Sequence, residues 1–210
     1  MPLIKIEHLA DAALGVWETT ESPEFFFNLL PPGYLGGFEP ARFSERRVKE
    51  FLASRMLLRQ LAGDELLVLT QDANGKMKDR DERWHFSLSH SGNRVAAIAS
   101  KKFSAGIDIE QIHPRILKVL HKFLNEQERQ MLGTSPDLWM ATLCWSAKES
   151  IFKMLEKPGL SFSGEIALSI PREADGSFPA RVHAVSGWRD LVINFEKDRD
   201  FVLTYCMNRE

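Results

Sequence analysis

Apolar positions recur at two different periods along the chain, and the switches between them outline a mixed architecture. From Ser44 to Leu61 the segment SERRVKEFLASRMLLRQL places Val48, Phe51, Leu52, Met56 and Leu58 on one face of a 3.6-residue period. It opens on an N-cap serine and ends before Gly63, which predicts a helix. A second long helix is predicted from about Pro136 to Leu155, closed by Pro158-Gly159, with shorter ones at Ile116 to Leu124 and Glu126 to Leu132. Short apolar or alternating runs predict strands: two within residues 3 to 18, then Glu65–Thr70, Trp84–Ser89, Arg94–Ala99, Ala105–Glu110, Glu165–Ile170, Ala180–Val185, Leu191–Glu196 and Phe201–Cys206. Four prolines and three glycines between Pro23 and Pro40 predict a loop or short helices, and Gln71 to Arg83, with Asn74-Gly75, predicts a polar turn.

Strands and helices alternate without a strict βαβ order, which favours α+β over a doubly wound parallel sheet. Each half of the chain carries one strong helix and several strands, so two similar halves packed together are expected, divided as 1–103 and 104–210. No internal sequence repeat is visible.

Composition narrows the class further. With 44% hydrophobic and 27% charged residues in 210, the chain can build a core and is not disordered. A net charge of -2 argues against broad, charge-driven nucleic-acid binding. Cys144 and Cys206 are too few for a disulfide framework and lack metal-ligand spacing, so both are expected as buried thiols. No secretory signal opens the sequence, and no apolar run approaches the ~20 residues that span a bilayer. A cytoplasmic protein without a membrane segment is the expectation.

Charges where burial is expected point to chemistry. Arg55 falls near the centre of the apolar stripe of the first helix, where an unpaired guanidinium is too costly, so it needs an internal carboxylate or a bound anion. Around it, Arg42, Arg46, Arg47, Lys49, Arg55 and Arg59 face three acids between Phe38 and Gln60. On the second long helix Lys148 lies within the stripe of Ala141, Trp145, Phe152 and Leu155, flanked by Glu149 and Lys153. Glu149 and Lys153 also read as an i,i+4 surface pair worth about 0.2–0.5 kcal/mol. In Gly106-Ile107-Asp108-Ile109-Glu110 the alternation puts Asp108 and Glu110 on one face, Cα atoms about 6.5–7 Å apart. Two such carboxylates can converge on a hard cation, or simply line the polar side of an amphipathic strand. His90, between Ser89 and Ser91-Gly92, suits a phosphate contact or a capped turn.

In chain order, Gly75-Lys76, Ser89-His90-Ser91, Gly106-Ile107-Asp108-Ile109-Glu110 and Trp145-Ser146-Ala147-Lys148-Glu149-Ser150 with Lys153 resemble the 4'-phosphopantetheinyl transferases, and the Sfp type most closely. The resemblance spans residues 75 to 161 and extends to the Arg47–Arg55 helix. It implies an α+β fold of two similar halves packed as a pseudo-dimer with a cofactor cleft between them. The implied reaction passes the 4'-phosphopantetheine arm of coenzyme A to a serine of an apo acyl or peptidyl carrier protein, releasing adenosine 3',5'-bisphosphate. It implies coenzyme A phosphates on Arg47, Arg55, Lys76, Ser89 and His90, and Mg²⁺ on Asp108, Glu110 and Glu149. Lys153 would stabilise the leaving group and Lys148 would assist or anchor the pyrophosphate. Glu149, directly or through water, or Glu128 would take the serine proton.

The chain departs from the family pattern twice. Met77 follows Gly75-Lys76 where many members have proline, and Pro158 is inserted in Lys157-Pro158-Gly159-Leu160-Ser161. A monomer is expected, because a two-half chain builds its cleft internally. Apolar residues around Phe123 and Leu124 are candidate exposed carrier contacts. The rival readings are a non-catalytic module that binds coenzyme A and recognises a carrier, and a phosphodiesterase that hydrolyses the coenzyme.

Overall fold

A computed structural model describes residues 2–35, 38–63, 67–72, 76–170, 176–184 and 187–208. The chain is α+β and divides into two compact units, Met1–Ala105 and Gly106–Glu210. Strand β1 (Leu3–His8) pairs antiparallel with β2 (Ala12–Glu18), as the alternation near the N-terminus predicts. Two short helices, α1 (Pro23–Phe27) and α2 (Pro32–Leu35), occupy the proline-rich stretch and bury Phe26 and Tyr34.

Helix α3 (Glu45–Ala62) starts where Ser44 accepts a hydrogen bond from the Arg47 amide and stops at Gly63, whose φ of 59° is left-handed and suits glycine. It packs on β2 and on β6 (Arg94–Ser100), closing a core that includes Trp17, Leu52, Leu57, Phe86 and Ala97. Between them run β3 (Leu69–Gln71), β4 (Met77–Asp79) and β5 (His85–Ser91). The four-stranded sheet has the order β1-β2-β6-β5, with β3 and β4 forming a separate hairpin. The strand expected at Glu65–Thr70 begins at Leu69, and its residues 65 and 66 lie outside the described residues. β4 is a correction to the polar turn expected over Gln71–Arg83; Asn74 and Gly75 lie outside the described residues.

The second unit opens with β7 (Ala105–Gln111) and continues through a 3-10 turn at Pro114–Lys118, α4 (Leu120–Phe123), α5 (Glu126–Leu132) and α6 (Leu138–Leu155). The single helix expected over Ile116–Leu124 is broken because Val119 takes φ −118° and ψ 4°. α6 is capped by the Asp137 carboxylate and ends at Leu155, where the sequence predicts, with Glu156 as its C-cap. After α7 (Phe162–Glu165) come β8 (Ile166–Leu168), β9 (Ser177–Ala184), β10 (Gly187–Lys197) and β11 (Phe201–Met207), in a sheet of order β7-β11-β10-β9-β8. Val185, the expected end of one strand, lies outside the described residues. α6 packs on β11, and Leu143, Ala147, Ile151, Ile193 and Val202 fill the core. Cys144 and Cys206 are both free and buried, and burial pushes each thiol up to about 12, which leaves them inert. Among the described residues no helix is long and apolar enough to cross a membrane.

Candidate functional site

The cationic candidates lie in the first unit. Arg47, on the first turn of α3, places its Nη1 2.9 Å from Nε2 of His90 at the end of β5. Two turns further along α3, Arg55 points inward and is only 6% exposed. Its guanidinium carbon sits 3.4 Å from the centroid of the Phe51 ring, and its Nη1 donates to Ser54 Oγ at 2.8 Å. Its Nε is buried without a hydrogen bond, and no carboxylate pairs with it among the described residues. Burial, then the like charge of Arg47, pushes its pKa down to about 9. Arg55 lines a cavity of about 260 Å³ with Phe38, Phe51, Thr70, Gln71 and Met77, and Phe38 stacks on Phe51 at 3.6 Å. Of the two partners the sequence offered for Arg55, the internal carboxylate is not found among the described residues. Lys76 closes the β3–β4 turn through its amide, which donates to Asp72 Oδ1 at 3.0 Å. Ser89 is buried on β5, and Gly75 lies outside the described residues.

The acidic candidates lie in the second unit, and a glycine sets their geometry. A Cβ on Gly106 would stand 1.8 Å from the Ser150 carbonyl oxygen and 2.8 Å from the Met154 amide, so β7 runs against the backbone of α6 at that point. Alternation then turns Asp108 and Glu110 toward the same helix. Asp108 Oδ1 accepts from Lys153 Nζ at 2.7 Å, and Glu110 Oε1 accepts from the Trp145 indole at 2.9 Å. Lys153 thus bonds across to the strand, not along the helix to Glu149 as an i,i+4 surface pair. Glu149 is pushed up to about 7, chiefly by burial, then by the Asp108 charge, with Glu110 adding and Lys153 opposing.

Lys148 and Glu128 come together elsewhere, in the interior, which corrects the roles expected for both. Lys148 is fully buried and Glu128 is 1% exposed. The ammonium donates to Glu128 Oε2 at 2.7 Å and faces the carbonyls of Phe123, Phe162 and Ile166 at 2.8–3.0 Å. Its three protons are therefore consumed by four protein acceptors, and none is left for a pyrophosphate. Burial lowers the Lys148 pKa, with the Glu128 charge opposing. Glu128 closes a capping box with Asn125, and its other oxygen accepts from the Leu168 amide at 2.9 Å, so it is no acceptor for a substrate proton. The pair ties α6 to α4, α5, α7 and β8. Phe123 and Leu124 are also buried, each 1% exposed, and offer no apolar surface to a carrier. Lys148→Met should cost about 3–5 kcal/mol, because it strands a buried carboxylate. The double variant Lys148→Met/Glu128→Gln should recover part of that loss in a urea titration.

Among the described residues no group of three or more His, Cys, Asp or Glu side chains is set as closely as metal ligands are. The donor chemistry nevertheless fits a hard divalent ion. The charges of Asp108 and Glu110 add to the burial that raises Glu149, and Mg²⁺ takes few carboxylates while keeping several waters. Asp108, Glu110 and Glu149 are the residues that would hold it.

Trp145 as the partner of Glu110 is a role that sequence reading missed, as is Glu50, buried beside Arg46, Arg47 and His90. The i,i+4 and i,i+3 spacings of Glu50 from the two arginines were a usable signal.

Residues 104–206 match the family model of the 4'-phosphopantetheinyl transferase superfamily. It is similar to the 4'-phosphopantetheinyl transferase psf-1 of Bacillus pumilus, at 35% identity over 103 residues. That match covers 47% of this chain and 43% of the relative, so it spans less than half of the relative's length.

Proposed function

We propose that this protein transfers 4'-phosphopantetheine from coenzyme A to a serine of an apo carrier protein, with Mg²⁺, releasing adenosine 3',5'-bisphosphate. The observation that carries the reading is the acidic cluster of Asp108, Glu110 and Glu149, held by Lys153 and Trp145. Carboxylates repel a pyrophosphate, so such a cluster is productive on a phosphorylated substrate only with a cation between them. When bound, Mg²⁺ would neutralise pyrophosphate charge and orient the phosphorus for in-line attack.

In this reading Glu149 accepts the serine proton, directly or through a water. Lys153, released from Asp108, stabilises the charge developing on the departing bisphosphate. Arg47, Arg55, Lys76, Ser89 and His90 take the phosphates of coenzyme A. The buried Arg55 without a carboxylate partner supports an anion there. Incubation with coenzyme A, Mg²⁺ and an apo carrier protein should raise the carrier mass by one phosphopantetheine. No mass shift with fatty-acid, polyketide or peptide-synthase carriers would remove the transferase reading. Coenzyme A binding without turnover would leave a recognition module, and release of phosphopantetheine without a carrier a phosphodiesterase.

The acidic cluster also has a consequence that needs no carrier. In the metal-free protein Glu149 holds its proton up to about pH 7, whereas in the unfolded chain it releases it near the ordinary value of 4.5. Between those values the folded state binds the extra proton, so stability should fall as pH rises through the window and level off above it. Mg²⁺ should then raise the melting temperature more at pH 8 than at pH 5. Glu149→Gln should flatten both effects, and an unchanged pH profile in that variant would remove Glu149 from the cluster.

A further inference from the structure

Glu50 is a buried acid with no task in the reading above. It is 7% exposed on α3, although the groups around it face solvent. Its Oε1 accepts from Arg46 Nε at 2.8 Å. Its Oε2 lies 3.6 Å from Arg47 Nη1 and 3.6 Å from His90 Nδ1. Arg46, Arg47 and His90 are 69%, 54% and 45% exposed at their side chains, so one sunken carboxylate underlies three exposed nitrogen-bearing groups.

Hydrogen-bond logic orders this group. Guanidinium can only donate, so the contact of 2.9 Å between Arg47 Nη1 and His90 Nε2 requires Nε2 to accept. The neutral ring then carries its proton on Nδ1, the nitrogen that faces Glu50. The carboxylate therefore favours one tautomer and ring orientation of His90 while restraining Arg47 at the same oxygen and Arg46 at the other. A salt bridge between exposed groups would be worth little, but here the acid is buried, and its cost is offset only if the cations stay on it. The result is a local charge that remains net positive, because two arginines meet one acid.

We propose that Glu50 is a positioning residue that holds Arg47 and His90 as one unit for a phosphate group of the coenzyme. The inference rests on the reading of Arg47 and His90 as phosphate ligands. Coenzyme A carries a terminal phosphate monoester and a pyrophosphate, and comparing it with 3'-dephospho-coenzyme A shows which of them the unit holds.

The test is a double-mutant cycle read by calorimetric titration of the intact protein with each coenzyme. Glu50→Gln keeps the shape and removes the charge. It should weaken coenzyme A binding by roughly tenfold, and Glu50→Asp by less. In an Arg47→Ala/His90→Ala background, Glu50→Gln should have no further effect on affinity, because the residues it acts through are gone. An equal loss in both backgrounds would overturn the proposal and leave Glu50 a folding residue, as would unchanged affinity in the single variant beside a weakened Arg47→Ala/His90→Ala protein. Unchanged affinity in Arg47→Ala/His90→Ala would remove the phosphate-ligand reading itself, and this proposal with it. A Glu50→Gln loss confined to coenzyme A, absent for the dephospho form, assigns the unit to the monoester. A loss of the same size for both assigns it to the pyrophosphate.

Discussion

Asp108→Asn is expected to slow transfer to an apo carrier by two to three orders of magnitude while the melting temperature moves little. The side chain is buried, yet its substitution leaves no cavity, because asparagine fills the same volume. The change lies in the charge. Asp108 is the partner of Lys153 at 2.7 Å and a neighbour whose negative charge raises Glu149. Removing it takes one acidic donor from the proposed ion and frees Lys153 to pair with Glu149. Two stability effects then oppose each other: a lost ion pair and a relieved carboxylate repulsion. Loss of one group that stabilises transition-state charge typically costs on the order of 10²–10³ in rate. Steady-state transfer measured across Mg²⁺ concentrations should show both a lower maximum and a weaker metal dependence. A wild-type rate would take Asp108 out of the site.

The main elements were legible in the sequence because their signals are local. Ser44 and Gly63 bracket α3 and the capping Asp137 opens α6, so periodicity and termini agree at both helices. The acidic strand was legible for a similar reason: alternation alone puts Asp108 and Glu110 on one face. Signals failed where the deciding contact is distant or polar. β4 was missed because its buried Asp79 is a polar residue, satisfied by the amides of Asp81 and Arg83. No hydrophobic pattern marks such a position. Lys148 was correctly placed on the buried stripe of α6, but the wheel does not say whether its counter-charge is a ligand or an internal acid. The answer lies 20 residues upstream at Glu128, across a loop that only the folded chain brings back. Arg55 posed the same question on α3 and received a different answer, with no acid paired to it among the described residues. The two helices thus carry similar buried cations in different settings, and Arg55 is the one proposed to meet an anion.

Gly106→Ala should be the most damaging small substitution in the second unit. The backbone at Gly106 is not left-handed, so the penalty comes from space alone. The new methyl carbon would meet the Ser150 carbonyl oxygen at 1.8 Å and the Met154 amide at 2.8 Å. Both are backbone atoms inside α6, where neither can rotate aside as a side-chain tip would. Relief requires β7 and α6 to part, yet α6 is fixed on its other sides by the Lys148–Glu128 pair and by its packing on β11. Overpacking of this kind commonly costs about 1–3 kcal/mol, and a contact with immovable backbone belongs at or above the top of that range. Any separation that the fold does tolerate also moves Asp108 off Lys153 and Glu110 off Trp145. Gly106→Ala should therefore lower both the urea midpoint and the transfer rate, whereas Asp108→Asn lowers the rate alone. A Gly106→Ala protein with the parent's midpoint would show that strand and helix do not meet as closely as the acidic cluster requires.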